Sequence, residues 1–285
     1  MSVYRVIPRL DIKGPNLVKG IHMEGLRVLG QPDRFAEYYY QTGADELIFM
    51  DVVASLYGRN SLKDIISLTA KKIFIPLTVG GGLRTLEDIN EVLRAGADKV
   101  CLNTAAINDP DIIKNASKKF GSSTIVVAIE AIKESNGKYL AYTDNAREYT
   151  GVDVFEWAER VQDMGAGEIY ITSVDREGTG EGFDLELIKE IASKASIPVI
   201  AHGGAGKVQH VIDSIQSGGA DAVSVASLLH YETINQLKAD TDSNQKEGNT
   251  EFLKNARSFN SIQATSLQDI KSQMINAGIS CRQLG

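Results

Sequence analysis

Asp11 and Glu130 lie within two stretches that are built alike, Arg9-Leu10-Asp11-Ile12-Lys13 and Ile129-Glu130-Ala131-Ile132-Lys133. They stand 119 residues apart (130 − 11 = 119). A carboxyl on each side of one bound substrate is the arrangement for a general base and a general acid. Either residue alone reads as readily as a strand-end acid capping a loop. The repetition is what points to chemistry.

A second duplicated feature suits phosphate. Gly81-Gly82 is followed by Asn103-Thr104, and Gly203-Gly204 is followed by Ala226-Ser227. Glycine lets an anion approach bare backbone N–H groups, and Asn, Ser or Thr side chains add donors. One glycine turn would be only a tight turn. Two at matching places imply two phosphate pockets on opposite sides of one mouth, hence a substrate with a phosphate at each end.

The elements that position these residues repeat as well. Ile75-Pro76-Leu77-Thr78-Val79 precedes the first glycine turn, and Ile197-Pro198-Val199-Ile200-Ala201 the second. The prolines are offset by 122 residues (198 − 76 = 122). Gly96-Ala97-Asp98 and Gly219-Ala220-Asp221 introduce the strands that follow. A period of this length marks a duplicated half-domain, since solenoid periods are about 20–50 residues.

Eight apolar runs alternate with helical patterns. Strands are expected over Val3–Leu10, Glu46–Met50, Ile73–Val79, Lys99–Leu102, Ser123–Ile129, Glu168–Ser173, Ile197–Ala201 and Ala222–Val225. Helices are expected over Pro32–Thr42, Asn60–Ala70, Thr85–Ala95, Asp109–Phe120, Asp153–Met164, Asp184–Ser193, Val208–Ser217 and Leu267–Ile275, the third opening on a capping-box pattern. Eight such units with internal duplication predict an α/β fold, the (β/α)₈ TIM barrel, with loops after the strands building the active site. Neither glycine turn is a GxGxxG fingerprint of an open dinucleotide-binding sheet. Residues 11–30 read as a long loop and 131–150 as a β-hairpin excursion around Asn136-Gly137. The whole chain, 1–285, reads as one barrel with a polar insertion at about 238–265, or a surface helix over Glu251–Ser258.

The net charge of −7 excludes a general nucleic-acid surface, but leaves room for a local cationic pocket. No basic, apolar-run leader opens the chain, and no apolar run reaches about 20 residues, so a cytoplasmic protein is expected. Cys101 and Cys281 lack metal-ligand spacing and read as free thiols, and no metal or cofactor is expected. Arg5, Glu46, Lys99 and Glu168 begin four strands and could pair as a ring closing the barrel's bottom, although solvated strand-start charges are the simpler reading.

At these residues the chain resembles the HisF family, the cyclase subunits of imidazole glycerol phosphate synthase. The likeness is carried by Val18-Lys19-Gly20, Val79-Gly80-Gly81-Gly82, Asn103-Thr104-Ala105-Ala106, Thr172-Ser173-Val174-Asp175-Arg176 and Gly203-Gly204-Ala205-Gly206-Lys207, among others. It implies an ammonia-dependent cyclase and lyase of histidine biosynthesis. Ammonia from a glutaminase subunit, forming a heterodimer with the barrel, would join a bisphosphorylated ribulosyl aminoimidazole carboxamide nucleotide. The products would be imidazole glycerol phosphate and an aminoimidazole carboxamide ribotide. The resemblance places the catalytic pair on Asp11 and Glu130, a loop lysine on Lys19, further substrate contacts on Asp51, Thr172 and Glu177, and an ammonia gate on Arg5, Glu46, Lys99 and Glu168.

Four positions depart from the family pattern: Glu130 and Glu177 stand where it has Asp, Arg9 where it usually has Cys, and His202 where it has Ser. A guanidinium at position 9 favours the ionised form of a neighbouring carboxyl. Glu130 carries its carboxyl one methylene further than Asp, which predicts a displaced acid. These differences leave two alternatives open. One is a paralogue that uses glutaminase-derived ammonia to amidate a sugar in surface-glycan biosynthesis. The other is a barrel that docks a glutaminase and channels ammonia without chemistry of its own.

Overall fold

A computed structural model describes residues 3–54, 62–237 and 261–283. Eight parallel strands close into a barrel in sequence order: β1 (Arg5–Lys13), β4 (Leu47–Asp51), β5 (Leu77–Gly80), β6 (Lys99–Leu102), β7 (Ile125–Lys133), β10 (Glu168–Ser173), β11 (Val199–His202) and β12 (Ala222–Val225). The seam is closed by β12 against β1, Arg5 opposite Ala222. This is a (β/α)₈ TIM barrel.

The expected half-barrel repeat is visible in strand lengths. β1 and β7 each run nine residues, whereas β5, β6, β11 and β12 run four. Both long strands project past the barrel rim and pair antiparallel with a hairpin. β1 pairs with β2 (Asn16–Ile21), which turns into β3 (Glu24–Gly30). β7 pairs with β8 (Tyr139–Thr143), which turns into β9 (Glu148–Asp153). Residues 11–30 are thus not a loop. The alternation Leu17, Lys19, Ile21 against Val18 and Gly20 is what period-2 pairing requires, and the glycines at 14, 20 and 25 obscure it.

Helices cover the outside: α1 (Pro32–Gln41), α2 (Lys63–Ala70), α3 (Leu86–Ala95), α4 (Thr104–Asn108), α5 (Asp111–Phe120), α6 (Val154–Asp163), α7 (Leu185–Lys194), α8 (Val208–Gln216), α9 (Ser227–Leu237) and α10 (Leu267–Asn276). The expected helix over Asp109–Phe120 forms from Asp111, after Pro110, and a further short helix, Thr104–Asn108, precedes it. The capping box forms: Thr85 Oγ1 accepts from Asp88 N at 3.1 Å, and Asp88 Oδ2 accepts from Thr85 N at 2.9 Å. Several expected strands begin later than the apolar runs suggest, at Leu77 rather than Ile73 and at Val199 rather than Ile197. Pro76 and Pro198 lack the N–H a ladder needs, so pairing starts after them.

The Gly-Ala-Asp motifs have a physical task. Asp98 Oδ2 accepts from Leu77 N at 2.9 Å and Asp221 Oδ2 from Val199 N at 2.9 Å. Asp45, in the further copy Gly43-Ala44-Asp45, accepts from Val6 N at 2.8 Å. Each carboxylate satisfies an N–H at the start of a strand, the first of β5 and β11 and the second of β1, which fixes strand register at the barrel's bottom.

Two apolar layers result. The larger lies between barrel and helices and includes Phe49, Val79, Trp157, Ile171 and Leu187. The smaller fills the barrel with Ile7, Ile48, Cys101, Val126, Ala128, Tyr170, Ile200 and Ala222. Among the described residues no helix is long and apolar enough to cross a membrane. The polar stretch expected at 238–265, with the alternative helix over Glu251–Ser258, lies outside the described residues up to position 260. Beyond it Gln263 N donates to Gly206 O at 2.7 Å and Thr265 N to Leu228 O at 3.0 Å, leading the chain into α10.

Candidate active site

Alternation along the strands sends one set of side chains inward. On β1 the inward residues are Arg5, Ile7, Arg9 and Asp11, rising from bottom to mouth. On β7 they are Val126, Ala128 and Glu130. On β10 they are Glu168, Tyr170 and Thr172.

At the bottom, Arg5 meets Glu46 at 2.6 Å and Glu168 at 2.8 Å, and Lys99 meets Glu46 at 3.1 Å and Glu168 at 3.0 Å. Each cation touches both anions. The simpler expectation of separate, solvated charges is therefore not what the geometry gives.

At the mouth a cavity of about 470 Å³ opens at the strand ends. Its walls include Asp51, Gly81, Gly82, Asn103, Thr104, Glu130 and Thr172 from the expected set, with Arg9 at its base. The two glycine turns share one backbone form: φ is 97° at Gly81 and 96° at Gly203. A Cβ on Gly81 would lie 2.3 Å from Asp51 O, and one on Gly203 2.5 Å from Ser173 O. Only glycine fits either turn. Arg84, next to the first turn, brings a cation to the cavity wall of a chain with net negative charge.

The second half of the expected set lies elsewhere. Asp11, Lys19, Glu177, Gly203, Gly204, Ala226 and Ser227 do not line this cavity; all are buried. The β2–β3 hairpin folds over that side of the mouth. Lys19 Nζ is ion-paired with Glu177 Oε1, and both side chains are 2% exposed. Glu177 Oε2 accepts from Met23 N at 3.0 Å, and Glu177 O from His22 N at 2.9 Å. Burial alone would raise the Glu177 carboxyl's pKa, but the Lys19 ammonium outweighs it and the net shift is downward.

Arg9 holds the centre. Its Nε donates to Asp11 Oδ1 at 2.7 Å, and its guanidinium lies over the Tyr170 ring at 5.8 Å. His202 stacks on the same ring, with centroids 5.6 Å apart and planes 23° apart. Its Nδ1 lies 3.0 Å from Ser224 O, so Nδ1 carries the proton and Nε2 is left an acceptor. Burial, then Arg9, depress its pKa well below the usual range, which keeps the imidazole neutral. The four unusual positions include two contact groups, Arg9 with His202 through Tyr170, and Glu177 with Lys19.

Glu130 is half-buried at the cavity wall, and burial pushes its carboxyl up to about 7 against opposing pulls from Ala146 N–H and Arg9. Ala146 N donates to Glu130 Oε2 at 2.8 Å. The one-methylene displacement expected from sequence is therefore met by a fixed donor. Asp144 and Asn145 line the same cavity and went unremarked in the sequence. The signal was there: adjacent Asp and Asn tolerate the left-handed backbone that a tight hairpin end needs. Among the described residues no group of three His, Cys, Asp or Glu could hold a metal ion.

Residues 5–235 match the sequence model of the family described as histidine biosynthesis protein. The chain belongs to this family. Within it, the imidazole glycerol phosphate synthase subunit HisF of Legionella pneumophila is 56% identical over 209 residues, which are 73% of this chain and 99% of that protein. The family match spans all eight barrel strands, the bottom ring and every residue of the mouth named above, and ends inside α9.

Proposed function

We propose that this chain is the cyclase subunit of an imidazole glycerol phosphate synthase. Its substrate would be the bisphosphorylated ribulosyl aminoimidazole carboxamide nucleotide, and its nitrogen donor ammonia delivered by a glutaminase subunit. The observation that carries this reading is the pairing of a half-buried Glu130 with Gly81, Gly82, Asn103 and Thr104 in one cavity, an acid beside an anion cradle. Thr104 Oγ1 already accepts from Asp144 N at 3.1 Å, so its hydroxyl proton remains to donate to a phosphate. The second cradle, Gly203, Gly204, Ala226 and Ser227, is buried with the segment 176–182 against its glycine turn, Gly182 N donating to Gly204 O at 2.8 Å, and would receive the other phosphate once that segment shifts.

Forming a C–N bond from ammonia needs a proton removed from nitrogen and another supplied to a departing group. Asp11, ion-paired with Arg9, suits the base. Glu130, close to half protonated at neutral pH, suits the acid. The raised Glu130 pKa gives the sign of the pH dependence: protonated acid is lost as pH rises through about 7, so kcat/KM with ammonia held constant falls above that value. A rate that climbs through pH 7 instead would exchange the two roles.

The ring at the strand starts supports an entry for ammonia, which must stay out of water to remain unprotonated and nucleophilic. Phe74, 81% exposed just before β5, marks the same end as a contact surface for the glutaminase. The reading is tested by turnover of the bisphosphate nucleotide with ammonium salt. Absence of both products would overturn it in favour of sugar amidation or channelling alone. Lys99→Ala removes one of the ring's two cations. Glutamine-driven turnover should then fall at least about fivefold relative to ammonium-driven turnover, the scale of a coupling of about 1 kcal/mol. Equal losses in both assays would separate the ring from ammonia delivery.

A further inference from the structure

Between β8 and β9 the chain makes a single left-handed turn. Asp144, Asn145 and Ala146 have φ of 53°, 61° and 62°, and Arg147 N closes the turn on Thr143 O at 3.0 Å. Asp and Asn visit this backbone region readily, but Ala pays a steric penalty there. Three further bonds hold the turn: Asp144 N to Thr104 Oγ1 at 3.1 Å, Asn145 Nδ2 to Met23 O at 3.0 Å, and Ala146 N to Glu130 Oε2 at 2.8 Å. Residues in a costly conformation persist where their surroundings over-determine them, and that is where function is to be sought.

We propose that this left-handed turn is a positioning device for Glu130, with Ala146 as the positioning residue whose backbone N–H fixes Oε2 and so sets where Oε1 meets the substrate. The geometry supports each part. Glu130 lies near the end of the paired barrel strand, and Ala146 N engages its Oε2 alone. The turn is anchored on one side to Thr104, in the phosphate cradle, and on the other to Met23, in the hairpin over the mouth. A movement of either would be felt at Ala146 N. A side-chain donor would swing with its own rotamer, whereas a backbone donor on an anchored turn does not.

The device also sets Glu130's proton affinity. An N–H given to the ionised carboxylate favours that form and opposes the effect of burial. The other groups facing Glu130 are Arg9 from β1, which favours the ionised form, the Asn103 amide, which does the same, Asp144 in the turn, which opposes it, and the buried Cys101 thiol from β6. The inference rests on the acid–base role proposed above, but its central claim does not need turnover to be examined.

The test is an infrared titration of the Glu130 carboxyl in the full chain, taken as the difference from Glu130→Gln. Lactic acid at position 146 exchanges the N–H for an ester oxygen with little change of shape, and Ala146→Gly keeps the N–H while relieving the backbone strain. The wild-type midpoint near 7 should rise by about one unit in the ester variant, a tenfold gain in proton affinity, and stay in place in the glycine variant. The high-pH limb of kcat/KM should move upward with the midpoint. An unmoved midpoint in a folded protein without the N–H overturns the proposal. Wild type without turnover on the bisphosphate nucleotide, but with the expected titration shift, would remove the proposed function and leave the device standing.

Discussion

Asp11→Asn and Glu130→Gln should each lower ammonium-driven turnover by about 10²–10⁴, the usual worth of one general acid or base. Neither change should unfold the barrel. The amide placed at position 11 keeps an oxygen acceptor for Arg9 Nε, which is now 2.7 Å from Asp11 Oδ1. The amide placed at position 130 likewise keeps an acceptor for Ala146 N, now 2.8 Å from Glu130 Oε2. What each loses is a proton that can be moved. If the two act on one transition state, the double variant will be little worse than the poorer single variant, because residues working as a unit do not contribute additively. Glu130→Asp is the sharper comparison. Shortening the side chain draws the carboxyl off the Ala146 N–H, and a misplacement of about 1 Å can cost about a hundredfold. Full activity in Asp11→Asn would dismiss the acid–base pair. A gain in Glu130→Asp would mean that the longer side chain is a handicap that the hairpin turn does not relieve.

That comparison marks where sequence reading stops. The barrel was legible because its strands are continuous apolar runs, its helices carry their caps at Thr85, Asp153 and Asp184, and the two halves repeat. The placement of Glu130 and of the first glycine turn followed from strand ends alone. The compensation for Glu130's extra methylene did not. It depends on a donor sixteen residues away, Ala146, in a backbone form that nothing about alanine announces. The hairpin over residues 16–30 was hidden for a related reason. Its strands are short, bulged and rich in glycine, so their alternation is weak, and their pairing is supplied by the projecting end of β1. Arg9 and His202 looked like separate departures and are joined only through Tyr170, an unremarkable aromatic in a buried strand. Contacts that cross the barrel leave no periodic trace in the chain.

The tip of the hairpin should open when Glu177 is replaced by Ala. In the wild type Lys19 is 2% exposed, and its ammonium has two acceptors, the Glu177 carboxylate and Gly20 O at 3.0 Å. Removing the carboxylate leaves a buried cation with one neutral acceptor, and breaking such a pair costs about 3–5 kcal/mol. The same change removes the acceptor of Met23 N. The barrel need not bear this cost. The base of the hairpin stays in place, since Leu17 and Leu29 are buried in the main core and Val18 and Val28 pack with Val52, so only the tip around residues 19–25 is freed and Lys19 returns to water. Amide exchange over residues 19–25 should therefore accelerate by about 10²–10³ while the hairpin base and the barrel strands keep their protection, since each 1.4 kcal/mol is about a tenfold change. Lys19→Met combined with Glu177→Met removes both charges at nearly constant volume and should restore much of the lost protection, because an apolar pair of similar volume can replace a buried ion pair. Unchanged exchange in the single Glu177→Ala protein would mean that the hairpin is held by β1 pairing alone and that the Lys19–Glu177 pair does not latch it.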